Sequence, residues 1–139
     1  MSATDIATSF AAAINAHDLD KAATFMADDF AATGLAPVPL TKEVFLASQR
    51  AWYAGCPDWA VTLSGLTERG DTVIGRSTVM ATHTGSLSLP GAPTLSPTGK
   101  HLTGVDDITL TIRDGKIAAF ALIEDTSVNP PLAQQLGLV

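Results

Sequence analysis

The chain has 139 residues, of which 46% are hydrophobic and 16% are charged, a balance that excludes an intrinsically disordered protein. Eight lysines and arginines stand against fourteen aspartates and glutamates, so the net charge is -6 and the cations lie scattered. Binding to nucleic acid or to an anionic membrane needs clustered cations, so neither is expected as a partner. The single cysteine, Cys56, excludes an internal disulfide.

The length is that of one domain, and because no linker or repeat interrupts it, residues 1–139 are expected to fold as one unit. The N-terminal residues lack the basic stretch and apolar run of a secretory signal. No apolar run approaches the roughly 20 residues that a membrane-spanning helix requires. We therefore expect a cytoplasmic protein.

The N-terminal part of the chain predicts two helices. Ser2 and Asp5 form a weak capping box for the first helix, whose apolar residues recur at helical spacing until it ends near residues 15–17. Asp18 can cap a second, short helix, and we expect the acidic pair at 28–29 to end it.

A short strand and a third helix follow. Residues 30–33 read as the strand, and a turn region rich in glycine and proline comes after it. Thr41 is a plausible N-cap for the third helix, and Gly55 can end it. Trp52 and Tyr53 lie on this helix, about 100° apart around its axis, so they are not expected to line the same wall.

From residue 59 the apolar period changes from helical spacing to two, which is typical of strands. The first predicted strand begins at residue 59. The three that follow span residues 72–83, 102–112 and 117–124. Residues 85–99 contain three prolines and form a loop long enough to suggest a function, such as covering a pocket entrance. Three helices followed by a four-stranded antiparallel meander predict an α+β domain with its helices on one face of the sheet.

Several short phrases occur in order along nearly the whole chain. They are residues 13–20 (AINAHDLD), 27–30 (ADDF), 57–58 (PD), 70–71 (GD), 82–85 (THTG), 113–117 (RDGKI) and 134–137 (QQLG). With the order of elements, they resemble the NTF2-like superfamily and, within it, the SnoaL-like polyketide cyclases. The resemblance implies a cone in which the N-terminal helices pack on a curved antiparallel sheet around an apolar pocket. It also implies a homodimer formed through the sheet.

The resemblance also implies where proton-transfer groups should lie. In the polyketide cyclases an acid on the last strand acts on an acidic C–H bond, and the hairpin at 113–117 aligns that position with Leu122. The partner position on the preceding strand falls at Ile108, so both positions are apolar here. Asp106 shares the strand face of Ile108 if the pairing is regular, and Glu124 shares that of Leu122. Asp107 then points to the opposite face, unless a bulge turns it inward. We predict Asp106 as the proton-transfer group and Glu124 as a pocket residue.

Three other polar side chains are catalytic candidates. His83 at a strand end and Tyr53, the only tyrosine, could polarise a carbonyl group, although His83 could instead cap backbone carbonyls. Arg76 lies in mid-strand and could orient Asp106, pair with Asp58, or lie on the outer sheet face at a dimer interface. The side chains expected to bind a ligand are Phe10, Trp52, Trp59, Ile108, Leu122 and Glu124. Because the three histidines are not closely spaced and no nucleotide fingerprint occurs, we expect neither a metal nor a cofactor.

The sequence thus predicts cofactor-free acid–base chemistry, an aldol cyclisation or an isomerisation, on a polyketide-like or other carbonyl compound. A non-enzymatic function stays open as an alternative at this point. Leucine and isoleucine at the two acid positions favour a non-catalytic module that binds a hydrophobic ligand, or an assembly role for the sheet face.

Overall fold

The structure is a computed structural model, and it describes residues 1–127 and 129–137. The helices within these ranges are α1 (Ala3–Asn15), α2 (Leu19–Thr24), α3 (Lys42–Gly55) and α4 (Leu132–Gln135). The strands are β1 (Met26–Thr33), β2 (Leu40–Thr41), β3 (Ala60–Arg69), β4 (Thr72–Thr82), β5 (His101–Arg113) and β6 (Lys116–Glu124). None of these helices is both long enough and apolar enough to cross a membrane.

The helix starts predicted from capping residues are confirmed. The Ser2 hydroxyl accepts a hydrogen bond from the backbone N–H of Asp5, and the Asp5 carboxylate accepts one from the N–H of Ser2. The side chains of Asp18 and Thr41 each accept a hydrogen bond from the backbone N–H three residues later, at 3.1 and 3.3 Å. Each cap satisfies a donor that the first helical turn leaves without a partner.

The prediction that the acidic pair at 28–29 ends the second helix is wrong. Helix α2 ends at Thr24, and both acids lie on β1, which begins at Met26. The pairing of β1 with β6 is irregular between Met26 and Ala31, and the acids project from this segment into solvent. The strand predicted at residues 30–33 is confirmed as the second half of β1, but its start at Met26 was missed. No local pattern marks that start, because the partner strand β6 lies about ninety residues further along the chain.

The sheet has six strands in the order β2-β1-β6-β5-β4-β3. Strand β1 runs parallel to β6, whereas all the other neighbouring pairs are antiparallel. The predicted four-stranded antiparallel meander is therefore corrected to a mixed sheet, in which the meander forms one part and the hairpin-like pair β1–β2 extends it. The sheet is curved but not closed, and the N-terminal helices pack on it as the α+β prediction requires.

Aromatic rings hold α3 against the rest of the core. The buried Phe45 ring of α3 lies 5.3 Å from that of Phe30 on β1, 6.1 Å from Phe120 on β6 and 6.3 Å from Phe10 on α1, measured between ring centroids. Such tilted pairs add roughly 0.5–1.5 kcal/mol each beyond the burial of their area. This cluster of rings holds α3 over the sheet, and a cavity remains between the helices and the sheet beside it.

Candidate active site

A cavity of about 400 Å³ lies between the helices and the sheet. Its wall contains the six residues that we predicted as ligand-binding: Phe10, Trp52, Trp59, Ile108, Leu122 and Glu124. Their role in binding stays a prediction. The rings of Trp52 and Trp59 lie 4.9 Å apart, between centroids, and form an aromatic part of the wall.

The loop between β4 and β5 takes part in the same wall. Leu89, Pro90 and Ala92 line the cavity, as the prediction of a loop covering the pocket suggested. The loop is held by a β-bridge between Leu87 and Leu95, whose two backbone hydrogen bonds measure 2.9 and 2.8 Å. The cavity is thus bounded on this side by a loop whose backbone is hydrogen-bonded across the bridge.

The polar part of the wall is small and acidic. Among the residues that the structure describes, its polar side chains are Ser48, Gln49, Ser77, Asp106 and Glu124. No lysine, arginine or histidine of the described ranges lines it. The cavity therefore suits a largely apolar ligand, and a negatively charged one would meet two acids without a compensating cation.

Asp106 lies in the cavity wall at the centre of the sheet. It is paired in register with Ser77 on β4 and with Glu124 on β6, and only 7% of its surface is exposed. Burial, reinforced by the negative charges of Glu124 and Asp107, raises the pKa of Asp106 to about 6. Asp107 points to the opposite face and is exposed, as the strand alternation predicted.

Arg76 is not placed to orient Asp106. It pairs with Asp107 at 3.4 Å and with Asp125, and none of these three residues lines the cavity. These ion pairs lie on the outer face of the sheet, where the alternation along β4 directs the Arg76 side chain. Asp58, the other partner that we considered for Arg76, instead accepts hydrogen bonds from Thr82 at 2.7 Å.

Tyr53 also lies outside the cavity wall. Its hydroxyl donates a hydrogen bond to the backbone carbonyl of Ile14 at 2.6 Å, and its ring stacks on His17 with centroids 3.9 Å apart. Burial raises the pKa of Tyr53 to about 12. This hydroxyl is therefore committed to fastening α3 to the end of α1, which does not support its predicted role as a carbonyl-polarising donor.

His83 is fully buried but does not line the cavity. Its Nδ1 accepts a hydrogen bond from the backbone N–H of Thr98 at 3.2 Å and lies 2.8 Å from the Thr98 hydroxyl. Its backbone N–H and carbonyl bond Lys100 and Gly99 at the other end of the loop. The ring therefore does not cap backbone carbonyls as the structural alternative suggested; it accepts a hydrogen bond from a backbone N–H instead, and these contacts close the base of the loop between β4 and β5.

Two buried polar residues of the wall were missed by sequence reasoning. Gln49 is buried and lies one helical turn from both Phe45 and Trp52, so the 3.6-residue period could have placed it on the cavity face. Ser77 is buried two residues before Val79 on β4, where strand alternation gives the same indication. Neither was noticed because each is a common residue without a motif. The described part of the chain contains no group of three or more metal-ligating side chains.

Comparison with solved structures identifies proteins of the same fold. AclR, a proposed hydroxylase from Streptomyces galilaeus, is 21% identical with a TM-score of 0.78, and the match covers 99% of this chain and 82% of AclR. IdmH, a proposed polyketide cyclase from Streptomyces antibioticus, is 25% identical with a TM-score of 0.74, and the match covers 99% of each chain. TsrD from Streptomyces laurentii is 23% identical with a TM-score of 0.75, over 98% and 95% of the two chains.

No curated protein matches the sequence. The family model described as SnoaL-like polyketide cyclase matches residues 4–135, nearly the whole chain. The match agrees with the cone-like arrangement of helices on a curved sheet and with the apolar cavity that this arrangement encloses. The protein belongs to the SnoaL-like polyketide cyclase family.

Proposed function

We propose that the protein performs cofactor-free acid–base chemistry on a small, neutral carbonyl compound, with Asp106 as the group that takes up and returns the proton. The observation that carries this proposal is a buried carboxyl group in the wall of an apolar cavity, with its pKa raised to about 6. A base of this strength is matched to proton transfer near neutral pH, where an ordinary carboxylate is a weaker base.

The position of Asp106 next to the paired residues Ile108 and Leu122 supports this role. Ile108 and Leu122, which stand at the acid positions implied by the family resemblance, are paired in register across β5 and β6. Asp106 and Glu124 form the next pair on the same face, two residues further along the ladder. A strand advances about 3.3 Å per residue, so this carboxyl pair lies about 7 Å from the apolar pair and still lines the same cavity.

The chemistry follows from these groups. The Asp106 carboxylate accepts a proton from the carbon next to the substrate carbonyl, and the C–H electron pair moves towards the carbonyl oxygen to give an enolate. In an aldol cyclisation the enolate carbon then attacks a second carbonyl of the same molecule, forming a C–C bond and an alkoxide. The protonated Asp106 returns its proton to that alkoxide; in an isomerisation it returns the proton to another carbon.

The substrate class is inferred from the wall and from a relative. Aromatic and aliphatic side chains surround a cavity of about 400 Å³, which fits a bicyclic or tricyclic molecule. IdmH, which covers 99% of the chain at 25% identity, is itself a proposed polyketide cyclase. We therefore favour a polyketide-like compound, and an aldol cyclisation over an isomerisation.

The proton-abstraction step can be tested on 2-tetralone, a bicyclic ketone whose most acidic C–H bond is flanked by a carbonyl and an aromatic ring. The measurement is exchange of this hydrogen for deuterium in heavy water, followed by proton NMR. Above the buffer background, kcat/KM is expected to rise with pH through about 6 and to level off above it, since only the carboxylate form of Asp106 is a base. A protein-dependent rate that is flat or falls over this range would contradict the assignment.

We further propose that the protein is a cytoplasmic homodimer formed through the outer face of the sheet. Met80 and Ile123 are 61% and 71% exposed there, on the side opposite to the cavity residues Val79 and Leu122. Replacing Ile123 by glutamate is expected to shift the sedimentation coefficient from that of a dimer to that of a monomer, because it introduces a charge into the interface. A wild-type monomer would contradict the dimer, and Ala12→Glu on the exposed side of α1, away from the outer face of the sheet, is a control for added charge.

A further inference from the structure

We propose that Gln49 is a carbonyl-binding residue, whose side-chain amide N–H donates a hydrogen bond to an oxygen of the ligand that occupies the cavity. This inference rests on the proposed function for the class of ligand and deepens it by assigning the group that recognises the carbonyl. It concerns binding and can therefore be tested separately from proton transfer.

The first line of argument is the unsatisfied state of the amide. Gln49 is only 7% exposed, and its Nε2 is buried without a hydrogen-bond partner among the described residues. Buried polar groups almost always have partners, because leaving one unpaired is costly in free energy. Because Gln49 lines the cavity, rotation of its amide about the last side-chain bond brings this unpaired donor to a ligand that supplies an acceptor.

The second line of argument is the placement of Gln49. It lies on α3 between Phe45 and Trp52, one helical turn from each, and all three side chains line the cavity. An aromatic ligand that packs against these rings brings its polar substituents past the amide. His83 differs in its location: its Nε2 is also buried without a hydrogen-bond partner in the described part of the chain, but His83 does not line the cavity.

The acidic side chains of the cavity wall determine which kind of ligand group can accept the hydrogen bond from Gln49. Asp106 and Glu124 line the same cavity, and the described lining residues include no cation. A carboxylate or phosphate on the ligand would be repelled by these acids, whereas a ketone or ester oxygen accepts a hydrogen bond without bringing a charge. When a proton leaves the neighbouring carbon, negative charge develops on that oxygen, and a fixed N–H donor then binds it more strongly.

The test compares two ligands that differ only in the carbonyl, 2-tetralone and tetralin, by isothermal titration calorimetry. The wild-type protein is expected to bind 2-tetralone about tenfold more tightly than tetralin, since tetralin leaves the amide unpaired. Gln49→Met, which keeps the length of the side chain but removes the amide, should reduce this ratio to about one while binding tetralin at least as well. The Asp107→Asn variant, whose side chain lies outside the cavity, should retain the wild-type ratio.

Folding and hydrogen bonding are checked independently. Thermal unfolding of Gln49→Met is expected at or above the wild-type temperature, because the substitution removes an unpaired buried amide; Gln49→Leu serves if the methionine variant is unstable. With 2-tetralone labelled by ¹³C at the carbonyl, the bound resonance should lie at higher chemical shift in wild type than in the variant, since an N–H donor deshields the carbonyl carbon.

The outcomes separate this inference from the proposed function. A wild-type protein with no preference for 2-tetralone over tetralin, or a preference that survives in Gln49→Met, overturns the role of Gln49. A preference that is lost in Gln49→Met supports it, whether or not the protein accelerates deuterium exchange. Absence of exchange together with a Gln49-dependent preference would refute proton abstraction by Asp106 from this ketone and leave carbonyl binding in place.

Discussion

Replacing Asp106 by asparagine is expected to lower the protein-dependent rate of deuterium exchange into 2-tetralone by roughly 10²–10⁴-fold, the usual contribution of a positioned general base. Asparagine is nearly isosteric and keeps the buried position filled, but its amide cannot accept the proton at neutral pH. The measurement is kcat/KM for wild type and variant at pH 7.5, where the Asp106 carboxyl of the wild type is mostly ionised.

Asp107→Asn is the matched control, because it makes the same chemical change one residue later on β5. The Asp107 side chain is exposed, pairs with Arg76 and does not line the cavity, so its rate should stay within about threefold of wild type. Removing its charge should lower the pKa of Asp106 slightly, because that charge contributes to raising it. Equal losses in the two variants, or full activity of Asp106→Asn, would contradict the role of Asp106.

Replacing Gly34 by alanine is expected to reduce the free energy of unfolding by about 3–5 kcal/mol, a large fraction of the stability of a domain. Gly34 has φ of +92°, and a Cβ built there would lie 1.9 Å from the carbonyl oxygen of Leu122. The substitution thus combines backbone strain with a clash against β6, a central strand of the sheet. Urea denaturation followed by circular dichroism gives the change in unfolding free energy.

Gly65→Ala separates the two causes of this loss. Gly65 also has a positive φ, +62°, but no atom lies within 4 Å of the position that its Cβ would take. Only backbone strain applies there, and the expected loss is about 1 kcal/mol. Similar losses in the two variants would mean that the approach of Gly34 to Leu122 does not limit stability.

The features that were predictable from the sequence are those set by local physics. The starts of α1, α2 and α3 follow from Ser2, Asp18 and Thr41, because a cap bonds to a backbone group three residues away. The inward direction of Asp106 followed from alternation along β5, since pairing with β4 is regular throughout. These predictions needed no knowledge of which elements meet in space.

The features that could not be predicted depend on distant parts of the chain. The pairing of β1 with β6 joins Met26 to Ile117, and no local sequence pattern predicts a parallel partner strand so far along the chain. The roles suggested for Tyr53 and Arg76 rested on residue type alone, whereas their placement depends on which face of the helix or strand is covered. Tyr53 contacts the end of α1, and Arg76 lies on the outer face of the sheet.

The strand order has a consequence for the folding pathway. Strand β6 is the last strand among the described residues, yet it lies between β1 and β5 and carries Leu122 and Glu124 into the cavity wall. Until it is synthesised, β1 has only the two-residue strand β2 as a partner, and its other edge stays open. Contacts of such long sequence separation form slowly, and an open edge invites pairing with other chains. Expression yield should therefore respond to chaperone supply during synthesis more than to the stability of the finished protein.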